Sequence, residues 1–122
     1  MAEVDEQNVA LQVVNDRLIG TLGSDVSLES LRNFRAEILN AVKEYSVRQV
    51  IIDVSGISIL DSHDFDEIVK TIEMVEILGA KSVLVGLNPG IITSLVYLDV
   101  PVDKVTTALN LKLAIKLLDQ QV

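Results

Sequence analysis

The sequence predicts an α/β fold, a mixed and mainly parallel β-sheet with four helices in the order ββαβαβαβα. Three observations carry that expectation. Short β-branched apolar runs alternate with longer segments whose apolar residues recur every three and four positions, the pattern of strands joined by crossover helices. The first two runs are separated only by Asn15-Asp16, a pair that tolerates the positive φ of a tight hairpin, which makes the sheet mixed. A chain of 122 residues suits one compact domain with its own core.

Taken in order, Val9 to Val14 and Arg17 to Leu22 form the hairpin. Ser27 caps a helix over Leu28 to Tyr45, in which Leu28, Leu31, Phe34, Ile38, Leu39, Val42 and Tyr45 make one inward stripe. Gln49 to Val54, QVIIDV, lacks alternation and reads as a central strand covered on both faces. Gly56 permits a bend. Asp61 then caps a second helix carrying Phe65, Ile68, Val69, Ile72, Val75 and Leu78 inward and stopping at Gly79. Ser82 to Leu87 is another buried strand. Asn88-Pro89 supplies a cap and a proline at the first helical position of a short helix through Tyr97. Val105 to Ala108 makes a last strand, and Asn110 caps a helix with Leu111, Ala114, Ile115 and Leu118 on one face. Residues 1–8 are expected to be flexible, and 9–122 to form a single domain.

Composition narrows the function. With 10 basic and 18 acidic residues the formal charge is −8, which disfavours nucleic acid and anionic membrane surfaces as partners and favours proteins with basic faces. The absence of cysteine removes disulfides, thiolate zinc sites and cysteine nucleophiles. The acidic start has neither the basic nor the apolar region of a signal peptide, and no apolar run reaches ~18 residues, so a cytoplasmic location is expected. The six glycines form neither a dinucleotide fingerprint nor a phosphate loop, and no cofactor or metal is expected.

One stretch stands out: VSGISILDSHDFDEI, residues 54 to 68, where Ser62 lies beyond the carboxyl end of a strand and opens a helix. Serine and aspartate there are ordinary capping residues, and Asp61, Asp64, Asp66 and Glu67 complement the helix dipole. His63 is the only histidine and adjoins Ser62, so the two point about 100° apart and a Ser-His-Asp triad is disfavoured. What remains is a surface for another protein.

The order of elements and this serine resemble the STAS domain, the fold of anti-sigma factor antagonists, over about Val9 to Leu118. Within that family the chain is most similar to the short stressosome core proteins of the RsbS type, through IIDVSGISILDS at 51 to 62, EILGAKSVLVGLNP at 76 to 89 and TALNL at 107 to 111. The family's phosphorylated serine sits in an Asp-Ser pair at the start of the second helix, so the resemblance implies Ser62 as phosphoacceptor. Many antagonists continue with a glycine, where this chain has His63-Asp64-Phe65. By the same resemblance the protein is a non-enzymatic scaffold that joins sensor-bearing STAS paralogues in a homo- or hetero-oligomer. It would hold a serine/threonine switch kinase until Ser62 is phosphorylated and be reset by a phosphatase. The alternatives are a free antagonist that binds an anti-sigma factor when unphosphorylated and, from another class, a small-molecule-binding α/β domain. Partner contacts are expected at Asp61, His63 and Asp64 and at the neighbouring loop Asn88, Pro89, Gly90 and Ile91. Apolar periodicity further predicts Ser62 exposed and Ile59, Leu60 and Phe65 buried.

Overall fold

The protein is described by a computed structural model over residues 9–23 and 26–120; the expected flexible segment 1–8 lies outside them. Strands β1 (Val9–Val14) and β2 (Arg17–Leu22) pair antiparallel through a turn in which Asn15 takes φ 60°. Helix α1 (Leu28–Glu44) starts at a reciprocal cap: Ser27 Oγ accepts from Ser30 N at 3.0 Å and Ser30 Oγ from Ser27 N at 2.8 Å. There follow β3 (Gln49–Asp53), α2 (Ser62–Ile77), β4 (Lys81–Val85), α3 (Pro89–Tyr97), a 3-10 turn (Val102–Lys104), β5 (Thr107–Ala108) and α4 (Leu111–Asp119). The strands stand in the sheet in chain order, with every pair after the hairpin parallel. The expected fold class and element order are those observed.

Sequential order explains the layering. Crossovers of one hand that always step the same way along a sheet deposit their helices on the same face. Accordingly Leu31, Phe34 and Ile38 of α1, Phe65, Ile68 and Ile72 of α2, and Ile91 and Leu95 of α3 join one core with Leu18, Val50, Ile52 and Leu84. Helix α4 follows β5 and covers the other face. There Ala114 and Leu118 pack on Ile51, Val83 and Val85.

Boundaries differ from expectation by a few residues. The central strand stops at Asp53, whose carboxylate turns to accept from Ser55 N at 2.9 Å and Ser55 Oγ at 2.6 Å. The fourth strand ends before Gly86, which leaves the extended region at φ 85°. The last strand keeps only two of four expected residues. Leu28, Tyr45, Leu78 and Leu111, expected inward, stand at helix ends and are exposed.

Candidate functional site

The carboxyl edge of the parallel strands is where loops can gather without interrupting the ladder, and β3 and β4 both end there. After Asp53 the chain makes a tight turn, Ile57 N donating to Val54 O at 3.0 Å, and sinks Ile57 and Leu60 into the core. Asp61 then caps α2 as expected: its Oδ1 accepts from Asp64 N at 2.8 Å. Because the aspartate does this work, Ser62 at the first helical position is left out of the cap. Among the described residues its hydroxyl enters no side-chain hydrogen bond, and the residue is half-buried at the surface, less open than the exposed position expected, though not inside the sheet.

Ser62, His63 and Asp66 line one wall of a groove of about 280 Å³, and Val100, Pro101 and Lys104 from the connection between α3 and β5 line the other. A neighbouring depression of about 240 Å³ joins Ser58, Ile59 and Leu60 to Asn88, Gly90, Ile91 and Ser94. The Asn88 loop therefore meets the segment leading into α2, whereas Ser62 itself faces Pro101 and Lys104. Asn88 caps α3, its Oδ1 accepting from Gly90 N at 2.6 Å, with Pro89 in the first turn; Ile91 points into the core. No chemical pattern in the sequence marks residues 100 to 104 as part of the site.

Expectation and structure part company at Ile59. Leu60 and Phe65 are buried, but Ile59 is 82% exposed. Apolar periodicity assumed the strand-to-helix loop would keep its aliphatic residues inside; two of three go in, and the turn forces the third out.

The four acids also divide. Asp61 and Asp66 are exposed, Asp66 pairing with Lys70 at 3.4 Å, and Asp64 is half-buried. Burial, and after it the charge of Asp61, pushes the Asp64 carboxyl above its ordinary range. Glu67 instead turns into the α1–α2 interface. There Arg35 Nη2 donates to its Oε1 at 2.6 Å and to its carbonyl at 2.8 Å, while Arg35 Nε reaches Thr71 Oγ1 at 3.0 Å. That hydrogen bond, assisted by the charges of Arg35, Lys70 and Arg32, holds the Glu67 carboxyl below its usual range. Glu67 thus locks α2 to α1 and leaves the serine's surroundings to the other three acids.

No group of three or more His, Asp or Glu among the described residues is arranged to hold a metal ion. A depression of about 630 Å³ lies between β1 and α1, lined by Leu11, Val13, Glu37 and Tyr45, and takes in none of the residues around Ser62. No helix among the described residues is long and apolar enough to cross a membrane.

The family model described as STAS domain matches residues 8–114. The chain is 27% identical over 121 residues to the RsbT co-antagonist protein RsbRA of Bacillus subtilis, covering 93% of this chain and 44% of that protein, so it spans less than half of that relative's length. Its fold is similar to a serine-to-glutamate variant of RsbS from Moorella thermoacetica, with a TM-score of 0.79, 22% identity, and 92% and 95% of the two chains covered. A structure described as the molecular architecture of the stressosome, a signal integration and transduction hub, gives a TM-score of 0.78 at 22% identity, over 91% of this chain and 96% of that one.

Proposed function

The chain belongs to the STAS-domain family, and from that premise we propose that it is a non-enzymatic scaffold and phospho-switch of a stressosome-like complex. In the cytoplasm it assembles with sensor-bearing STAS paralogues and holds a serine switch kinase. Phosphorylation of Ser62 releases that kinase, and a phosphatase restores the serine. The likeness to RsbRA, called an RsbT co-antagonist, and to RsbS supports the class of partner.

The single observation that carries the reading is the division of labour at the start of α2. Asp61 caps the helix, so the Ser62 hydroxyl is free to be modified without loss of the cap. In the forward step the Ser62 oxygen attacks the γ-phosphorus of ATP; the P–O bond to ADP breaks, and the hydroxyl proton passes to the kinase's base. Hydrolysis by the phosphatase returns serine and inorganic phosphate.

Phosphorylation adds about −1.5 to −2 charges and three acceptor oxygens. The first amides of α2 and the positive end of its dipole tolerate that charge, so the helix survives. Ser62 is half-buried, so a phosphate there adds bulk and a strongly hydrated dianion at a surface the partner must cover closely, and the cost of accommodating and desolvating it outweighs what a basic partner gains from the extra charge. Release follows without unfolding.

The test immobilises the protein and measures kinase retention before and after stoichiometric phosphorylation, with circular dichroism alongside. Retention should fall while helicity stays. Ser62→Ala should capture the kinase and never release it, and Ser62→Asp, with one charge, should release it in part. Unchanged retention with phosphate on Ser62 refutes the switch; lost helicity shows unfolding instead.

A further inference from the structure

Ile59 lies three residues before Ser62 and is 82% exposed, while Ile57 and Leu60 on either side of it are buried. A single exposed aliphatic residue is ordinary, and Ile77, the last residue of α2, is 83% exposed as well, beside Met74 and Leu78 at the opposite end of the helix from Ser62. What sets Ile59 apart is the rigidity of its support. Its loop is fixed by the Val54–Ile57 turn, by Ser55 bound twice to the Asp53 carboxylate and by the Asp61 cap, with Gly86 of the next strand's end lying directly against Ser55. An apolar side chain held out by such a loop loses little freedom when a partner buries it.

We infer that Ile59 is the apolar anchor of the kinase-docking surface, entering an apolar pocket of the partner whose rim is basic. The inference rests on the reading that a kinase is held at Ser62 and names how it is held. Charge selects the occupant. Asp61, Asp64 and Asp66 lie within seven residues of the anchor in sequence and at the surface, and the chain carries −8 overall. A second copy packed about Ile59 would bring those carboxylates against their own equivalents, whereas a partner with Lys or Arg around its pocket would meet them with opposite charge. The depression beside Ile59, floored by Leu60 and Ile91 and edged by Asn88, Gly90 and Ser94, gives the partner's rim a place to seat.

The probe is the purified serine/threonine switch kinase from the cell that makes this chain, bound to the unphosphorylated protein by biolayer interferometry. Ile59→Ser should weaken binding about thirtyfold or more, the size of a hot-spot loss. Ile59→Leu should stay within about tenfold, as volume-conserving apolar exchanges do, and Ile77→Ser should match the parent. Added salt should weaken the parent and the serine variant alike, since the acidic surround is common to both. Equal affinity of the Ile59→Ser variant and the parent overturns the anchor and leaves the switch standing, provided phosphorylated Ser62 still releases the kinase. Retention that ignores phosphate defeats the switch while the Ile59 comparison remains valid. Self-association lost with Ile59→Ser by light scattering would assign the surface to a second copy and overturn the inference, and so would a lowered melting temperature, which would make Ile59 a packing residue.

Discussion

Replacing Gly86 with alanine should damage this protein in a way that replacing Gly79 does not, although both glycines have positive φ, 85° and 98°. An L-residue in left-handed backbone costs roughly 1–2 kcal/mol, and that cost is common to the two positions. At Gly79 a Cβ would meet nothing within 4 Å. At Gly86 it would lie 2.6 Å from Ser55 Cβ and 2.9 and 3.0 Å from Ser55 Cα and N. Those atoms are backbone or fixed to it, and Ser55 is held by the Asp53 carboxylate, so no rotamer change relieves the collision. Overpacking of this kind adds about 1–3 kcal/mol. The sum is about 2–5 kcal/mol for Gly86→Ala against about 1–2 for Gly79→Ala. For a chain of this size, at about 4 °C per kcal/mol, that means a loss of roughly 8–20 °C against roughly 4–8 °C in a calorimetric scan. The displaced segment is the one that presents Ile59 and leads to Ser62, so Gly86→Ala should also weaken kinase binding while Gly79→Ala leaves it unchanged. Equal losses at the two positions would refute the reasoning, since they would mean that the loop yields to the new methyl at no cost.

The cap and the modified residue should separate cleanly. Asp61→Ala should lower stability by about 1 kcal/mol through the lost bond to Asp64 N, while Ser62→Ala should stay within about 0.5 kcal/mol, both read from urea unfolding; a larger loss at Ser62 would return the serine to a structural role. Acid unfolding should depend on Glu67. Its folded carboxyl titrates below the ordinary 4.5, so as pH falls past that value the unfolded chain takes up the proton first, and the stability that the ion pair lends at higher pH is lost through the lower folded value. Glu67→Gln should therefore flatten the fall in stability on acidification. Asp64 has the opposite sign: its folded carboxyl titrates above 3.8, the native state binds the proton first, and its ionisation costs stability as pH rises through that range. Asp64→Asn should steepen the fall, and identical pH profiles for the two variants would contradict both assignments.

The fold could be read from the sequence because its signals are local. Ser27, Asp61, Asn88 and Asn110 each announce a helix start through a side chain that accepts from an amide two or three residues on, and all four do so in the structure. Strand ends were less legible because backbone conformation decides them: Gly86 halts β4 two residues early by its positive φ. In the candidate site, the Asp61-Ser62 junction was visible as a strand-to-helix transition. The inward turn of Glu67 was not, since the arginine that draws it in lies 32 residues away, and an acidic residue carries no mark of its partner. The outward turn of Ile59 escaped for a related reason. Periodicity describes regular elements, and this residue sits in the irregular stretch between two of them.

The strands stand side by side in the order in which they are synthesised, and this bears on the birth of the protein as well as on its final form. Each new strand emerging from the ribosome finds its neighbour already made, so the sheet can grow from one edge without waiting for a distant segment to return. The helices of the first face arrive between strands and cover it as it widens. The opposite face must wait: Ile51, Val83 and Val85 acquire their cover only when Ala114 and Leu118 have been added. Until then that side of the nascent sheet is a bare aliphatic surface, and helix α4 completes its protection from aggregation.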